Sequence, residues 1–288
     1  MRKRIVCFAI ALAVFVGTTV GFTATTTVDS YGARKTSVTD LERMQSGVRL
    51  GKIPIIMYHH FVEEIGEPNN AIISVDRFRE HMMYLKDNGF TPLLPQDLKA
   101  IKDGTMAMPE KPVVISIDDG YESVYTYAYP ILKETGMKAT VNVIVDSIEN
   151  PKPGEIKKFT WEQAREMYKS GYVDIQSHTY SLHGISDEGV QGIEFIPGET
   201  KRQYLKRVTA DIEKSIRIIE RRVGTEVISM AYPYGAYEEW GRDVLESCGI
   251  EFAVTTVETA ADLDGNWYRL SRYSGDMVLN INKINEAR

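Results

Sequence analysis

Apolar residues along the chain fall into short blocks, and the stretches between them carry a helical rhythm. The blocks IPIIMYHHF (53–61), PVVISI (112–117), ATVNVIV (139–145), YVDIQS (172–177), VISMAY (227–232) and FAVTT (252–256) have the length of strands. PVVISI is apolar almost throughout, as a strand covered on both faces must be. Residues 76–89, 122–135, 160–171, 201–222 and 237–247 show amphipathic helical spacing. Gly89, Gly136 and Gly224 stand where three of these helices would stop, and Thr160 with Gln163 forms a capping-box pattern. Pro130 should kink or divide the helix that contains it. FTPLL, a short helix around Pro95–Ile101 and a last short strand near Tyr268–Tyr273 complete the pattern. About seven strand–helix alternations predict an α/β fold. The sheet is parallel with helices outside, either closed as a barrel or open and doubly wound.

Both architectures place function at the carboxyl ends of the strands. His59 and His60 end the first block, Asp118 and Asp119 follow PVVISI, His178 follows YVDIQS, and Tyr232-Pro233-Tyr234 closes VISMAY. The chemically able residues therefore gather at one end of the expected sheet.

Composition adjusts this picture in three places. The 288 residues suffice for one large core, and a net charge of -6 argues against a nucleic-acid binder. Arg2, Lys3 and Arg4 precede an apolar run from Ile5 to Phe22, so residues 1–24 read as an export signal or an uncleaved signal anchor. A polar spacer (25–52) and a single catalytic domain (53–288) follow. The two cysteines, Cys7 and Cys248, exclude a disulfide framework, and Cys248 is expected to pack at a helix end.

The adjacent pair Asp118-Asp119 demands an explanation. Two neighbouring carboxylates repel, and burying either is costly without a cation or a partner. The bland account is a turn with one carboxylate capping the next helix. The chemical account uses the histidines. His178 and His183 are five apart, so they share no helix face, but a loop after a strand can turn both inward. One aspartate with two histidines is a three-ligand set for a catalytic zinc with an open position. The second aspartate would remain as a base. His81 falls within a helix and is expected to be surface or packing.

Asp118-Asp119-Gly120, His178-Thr179…His183 and Tyr232-Pro233-Tyr234-Gly235 together resemble the successive motifs of the polysaccharide deacetylases (NodB-homology domain, carbohydrate esterase family four). The likeness runs from about Ile53 to Tyr273. It implies a distorted (β/α) barrel of about seven parallel strands. It implies that Asp118 is the general base, that Asp119, His178 and His183 hold a divalent metal, and that the Tyr234 N–H helps bind the oxyanion. Zinc is the first expectation for the metal, with cobalt, nickel or manganese as alternatives. The histidine spacing is similar to that of the branch acting on poly-N-acetylglucosamine.

Two departures from the family pattern matter. Ala231-Tyr232-Pro233 lacks the arginine that braces the base in many members, so Arg269 or Arg272 is expected to supply it. No histidine follows His183, so the general acid is sought at His59 or His60, of which a strand directs at most one into the site. Tyr121, Tyr180, Tyr234, Trp267 and Arg272 are candidate substrate contacts, while Tyr125 leans towards packing. The resulting expectation is an exported, metal-dependent N-deacetylase of a cell-surface polysaccharide, poly-N-acetylglucosamine or peptidoglycan, with membrane attachment through the leader as one form. The alternative is a glycan-binding envelope protein of the same fold. A glycosidase fits poorly, because adjacent carboxylates cannot flank a bond about 5–9.5 Å apart.

Overall fold

A computed structural model describes residues 49–65, 71–184, 189–275 and 284. The expected signal segment and all but the end of the spacer lie outside the described residues. Seven parallel strands form one curled sheet: β1 (Ile55–Tyr58), β2 (Pro112–Asp119), β3 (Ala139–Val143), β4 (Val173–Ser177), β5 (Ser229–Ala231), β6 (Phe252–Val254) and β7 (Tyr273–Ser274). Their order is β6-β5-β4-β3-β2-β1-β7, and Thr91–Pro92 pairs beside the start of β2. The last segment draws the two edges together. Leu270 bridges to Val254 of β6, and three residues later Tyr273 pairs with Ile56 of β1. The architecture is the distorted (β/α) barrel expected from the alternation and the resemblance.

The helices are α1 (Val75–Asp87), α2 (Pro95–Lys102), α3 (Tyr129–Thr135), α4 (Val145–Glu149), α5 (Trp161–Lys169), α6 (Lys201–Val223) and α7 (Glu239–Ser247). Thr160 and Thr200 each close a capping box with the glutamine three residues on. Gly136 and Gly224 end α3 and α6 in the left-handed conformation that only glycine adopts freely. Outward-facing Ile115, Ile117, Val141, Val143 and Ile175 pack with helix residues such as Phe78, Met82, Leu132, Met167 and Ile212. Inside the curl, Ile55, Val114 and Phe252 pack with Leu98, Ile101 and Trp267 towards the amino ends of the strands. Towards the carboxyl ends the interior turns polar, with Ser116, Asp118, Asn142 and Arg272 all buried.

Three expectations change in detail. Block 53–61 divides, because Lys52–Ile53 pairs with Ala261–Asp262 before Pro54, and His60–Val62 pairs with Ile72–Ser74. The helix expected over 122–135 divides, as its proline predicts, just before Pro130: Val124–Ala128 forms one π-turn in which the Tyr129 N–H reaches Val124 O, and α3 follows with Pro130 in its first turn. Proline has no N–H to continue the ladder, and the wider turn accommodates that loss. Helix α4 was not expected, since five residues carry too little periodicity to read. Cys248 caps α7 half-buried, and among the described residues no helix is long and apolar enough to cross a membrane.

Candidate metal and catalytic site

Asp118 and Asp119 end β2, but their side chains part company. Asp118 continues the inward alternation of Val114 and Ser116 and is 1% exposed. Across the ladder it pairs with Asn142, whose amide donates to Asp118 Oδ1 at 2.8 Å and to Ser116 Oγ at 3.0 Å. Arg272 Nη1 lies 2.8 Å from Asp118 Oδ2 and 2.9 Å from Oδ1, and its Nε donates to Thr255 O at 2.8 Å. Burial pushes the Asp118 carboxyl up. The Arg272 charge foremost, then His178, His59 and the Asn142 hydrogen bond, more than offset this and hold it below the usual carboxylate range. Arg272 is thus placed as the brace, whereas Arg269 sits over the Tyr237 ring at 5.3 Å. The expectation of Arg272 as a substrate contact is corrected. It is 1% exposed behind the carboxylate, where a polymer cannot reach it.

Asp119 adopts φ 75° and turns towards the histidines. Its Oδ1 lies 3.5 Å from His178 Nε2 and 3.4 Å from His183 Nε2, and it is buried with no hydrogen-bond partner. An orphaned buried carboxylate oxygen facing two imidazole nitrogens is costly unless a cation sits among them. Ligand atoms about 2.0–2.1 Å from a tetrahedral ion stand about 3.3 Å from one another, close to the separations here. The donor atoms of Asp119, His178 and His183 all fall within 4.8 Å of each other. His178 Nδ1 lies 2.8 Å from Ala231 O, which fixes the proton on Nδ1 and leaves Nε2 free to bind. Burial first, outweighing the neighbouring aspartates, lowers the His178 pKa to about 4, so the ring is neutral as a ligand must be. The three residues fit a divalent cation.

Residues that the sequence did not single out hold this cluster. Asp211 on α6 accepts from Tyr180 N at 2.7 Å and Ser181 N at 2.9 Å, fastening the loop that carries His183. Ser177 Oγ accepts from Thr179 N and meets Ser215 Oγ at 2.7 Å. Nothing in the periodicity of α6 marks Asp211 or Ser215 as more than helix residues turned inward. The non-glycine residues with positive φ among those described are Asp119, Thr179 and Tyr234, one in each motif. Such strain persists only where surrounding contacts enforce it, and it clusters at functional sites.

The other candidates divide. His59 follows β1 and is half-buried, and its charge reaches both aspartates. His60 points elsewhere: its Nδ1 lies 2.8 Å from Ser123 Oγ and its ring 5.0 Å from Tyr121. Burial, then the Lys158 charge, lowers the His60 pKa. Tyr234 is 41% exposed, with its ring 4.8 Å from His183. Tyr121 stands beside Asp119, but Lys158 Nζ covers its ring at 3.6 Å, and Lys214 covers Tyr180 at 3.3 Å. Tyr125 donates to Glu166 and stacks on Tyr129. The expectation for Trp267 is corrected: it is buried, donates to Leu263 O and packs on Phe252, the first residue of β6. That places it at the amino end of the barrel, opposite the aspartates. As an aromatic late in the chain it was a candidate for a sugar-binding groove, and only the return of the chain shows otherwise. His81 is buried in α1 and hydrogen-bonds Tyr58 OH at 3.0 Å, so it packs.

With this geometry in hand, comparison with known proteins is informative. The family model described as polysaccharide deacetylase matches residues 105–253. YxkH of Bacillus subtilis (strain 168), whose name assigns it to the polysaccharide deacetylases, is 31% identical over 224 residues, covering 77% of this chain and 70% of that one. The poly-beta-1,6-N-acetyl-D-glucosamine N-deacetylase of Escherichia coli (strain K12) is 24% identical over 222 residues. That match covers 69% of this chain and 33% of the relative, so the chain spans about a third of that protein. Among solved structures, a de-N-acetylase from Aggregatibacter actinomycetemcomitans superposes with a TM-score of 0.73 at 25% identity, covering 82% of this chain and 100% of the other.

Proposed function

The chain belongs to the polysaccharide deacetylase family, and we propose that it removes N-acetyl groups from N-acetylglucosamine units of a cell-surface polysaccharide, poly-N-acetylglucosamine or peptidoglycan. The observation that carries this reading is the division of labour between the two aspartates. Asp119 Oδ1 is orphaned among two imidazoles, while Asp118 is kept ionised by Arg272.

Asp119, His178 and His183 would hold the divalent ion, with zinc favoured by the mixed oxygen and imidazole donors and cobalt, nickel or manganese as alternatives. When bound, the ion supplies Lewis-acid polarisation of the acetamide carbonyl and acidifies water. Asp118 accepts the proton of the attacking water, and Arg272 and Asn142 keep it oriented and charged for that step. The backbone N–H of Tyr234, on its left-handed turn, serves the oxyanion as it develops. Of the two histidines after β1, His59 is the proton donor to the leaving nitrogen, because its charge reaches both aspartates while His60 is engaged with Ser123. The amide C–N bond breaks, the nitrogen takes that proton, and acetate and a free amino sugar leave. The solved relative at 25% identity is named as a de-N-acetylase, which supports an amide substrate. The apolar leader at Ile5–Phe22 supports export, with the protein released or held at the outer face of the membrane.

The test is acetate release from an N-acetylglucosamine oligomer by the full chain with zinc, beside Asp118→Asn and His59→Gln. The expected result is activity in the parent, none in Asp118→Asn with metal still bound, and a loss of about 10²–10⁴ in His59→Gln. A metal-loaded parent that releases no acetate from this oligomer or from peptidoglycan refutes the reading in favour of a glycan-binding protein.

A further inference from the structure

His59 stands where the chain leaves the main sheet. It follows Tyr58, the last residue of β1, and precedes His60–Val62, which pairs with Ile72–Ser74 in a separate small sheet. A residue at such a junction belongs to neither ladder, so its side chain is aimed by whatever holds the residues after it. Phe61 is 1% exposed, with its ring 4.7 Å from that of Phe78, and the His60 N–H donates to Ala71 O at 3.1 Å. A further hold comes from Ser123. Its Oγ accepts from the Phe61 N–H at 3.1 Å and lies 2.8 Å from His60 Nδ1. A hydroxyl carries one proton and two lone pairs, so this buried side chain can serve both neighbours at once.

Ser123 sits on the turn that follows Asp118 and Asp119. That turn is fastened from two sides: the Phe159 N–H donates to Gly120 O, the Glu122 N–H donates to Lys157 O, and the Val124 N–H donates to Tyr121 O. The Ser123 hydroxyl therefore ties the segment that bears His59 to the segment that bears both aspartates. A proton donor works only within hydrogen-bond reach of the leaving nitrogen, and the aspartate end of the site sets where that nitrogen lies. Building on the proposed N-deacetylation with His59 as its proton donor, we propose that Ser123 is a positioning residue that holds His59 in register with the aspartates. It touches no substrate, and it acts through the two residues it fastens. A misplacement of about 1 Å in a catalytic group costs about 10²-fold in rate, which sets the scale of the expected loss.

The experiment compares two acetyl substrates on the zinc-loaded full chain. In an N-acetylglucosamine oligomer the amine leaves only when it is protonated, whereas the phenolate of 4-nitrophenyl acetate leaves as an anion without a donor. The readout is the ratio of kcat/KM for the amide to that for the ester. Ser123→Ala should lower this ratio about 10–100-fold, with zinc content and the KM for the oligomer unchanged. Ser123→Cys, similar in size but a weak hydrogen-bonding group, should do the same, and Ser123→Thr, which keeps the hydroxyl, should stay near the parent. His59→Gln should lower the ratio at least as far, and adding Ser123→Ala to it should lower it no further, because nothing is left to position. In the metal-free chain the ring NMR signals of His59 and His60 should move in Ser123→Ala while those of His178 and His183 stay. An unchanged ratio in Ser123→Ala or in His59→Gln, a full further fall in the double variant, or unmoved His59 signals overturns the proposal. A parent that releases no acetate from the oligomer loses the deacetylase reading and this role with it. A parent that releases acetate, with the ratio unchanged in Ser123→Ala, loses only the role of Ser123.

Discussion

Replacing Arg272 by methionine should be among the most damaging single changes in the barrel, although Arg272 lies buried behind Asp118. The side chain is 1% exposed and donates through Nη1 to both oxygens of Asp118 and to Ser116 Oγ, and through Nε to Thr255 O. Methionine fills much of the volume but leaves Asp118 as a buried carboxylate with only Asn142 to answer it. Removing one partner of a buried pair costs about 3–5 kcal/mol, because the remaining charge has neither water nor counter-ion. For a domain of this size that corresponds to a fall in Tm of about 6–20 °C. The cost belongs to the stranded charge and not to the lost packing, so Arg272→Met combined with Asp118→Asn should recover most of it. Urea unfolding of the parent, both single variants and the double variant, all in EDTA to remove any contribution from metal, reads the difference. A loss below about 1 kcal/mol in Arg272→Met, or a double variant no more stable than that single one, would refute the reasoning.

Other consequences follow from particular contacts. Asp211→Ala frees the Tyr180 and Ser181 amides, so zinc affinity measured against a chromophoric chelator should fall about 10–100-fold with α6 intact by circular dichroism. The His81 pKa, lowered to about 4 by burial first and then by Arg77, lies below its unfolded value of 6.5, so the unfolded chain binds the extra proton. Its contribution is therefore fully present above pH 6.5 and is lost as pH falls towards 4, by up to about 3 kcal/mol. Stability curves across that interval should flatten in His81→Leu relative to the parent, and an unchanged slope would discredit the assignment. Gly235 has φ +71°, and a Cβ there would lie 2.7 Å from Thr256 N, so Gly235→Ala should cost about 1–3 kcal/mol in thermal denaturation.

The sequence by itself determined the order of the elements and the end of the sheet where chemistry gathers. Apolar blocks buried on two faces, glycine stops and the Thr160–Gln163 capping box are local signals, written in neighbouring residues. The motif residues Asp118, Asp119 and His178 were visible for a similar reason, since they stand at the carboxyl ends of strands, with His183 in the loop beyond. Tertiary structure alone decided which neighbours those residues acquire. Arg272 and Arg269 were equivalent candidates three residues apart until the segment from Leu270 to Tyr273 was seen to cross from β6 to β1, which turns Arg272 inward. Trp267 stands at the same stage of the chain yet belongs to the opposite end of the barrel. Asp211 lies in a helix with no motif, and gains its role only from what folds against it. Periodicity records which face of an element is buried, because burial acts on each side chain separately. Pairing between distant charges is set by closure of the barrel, which no local pattern encodes.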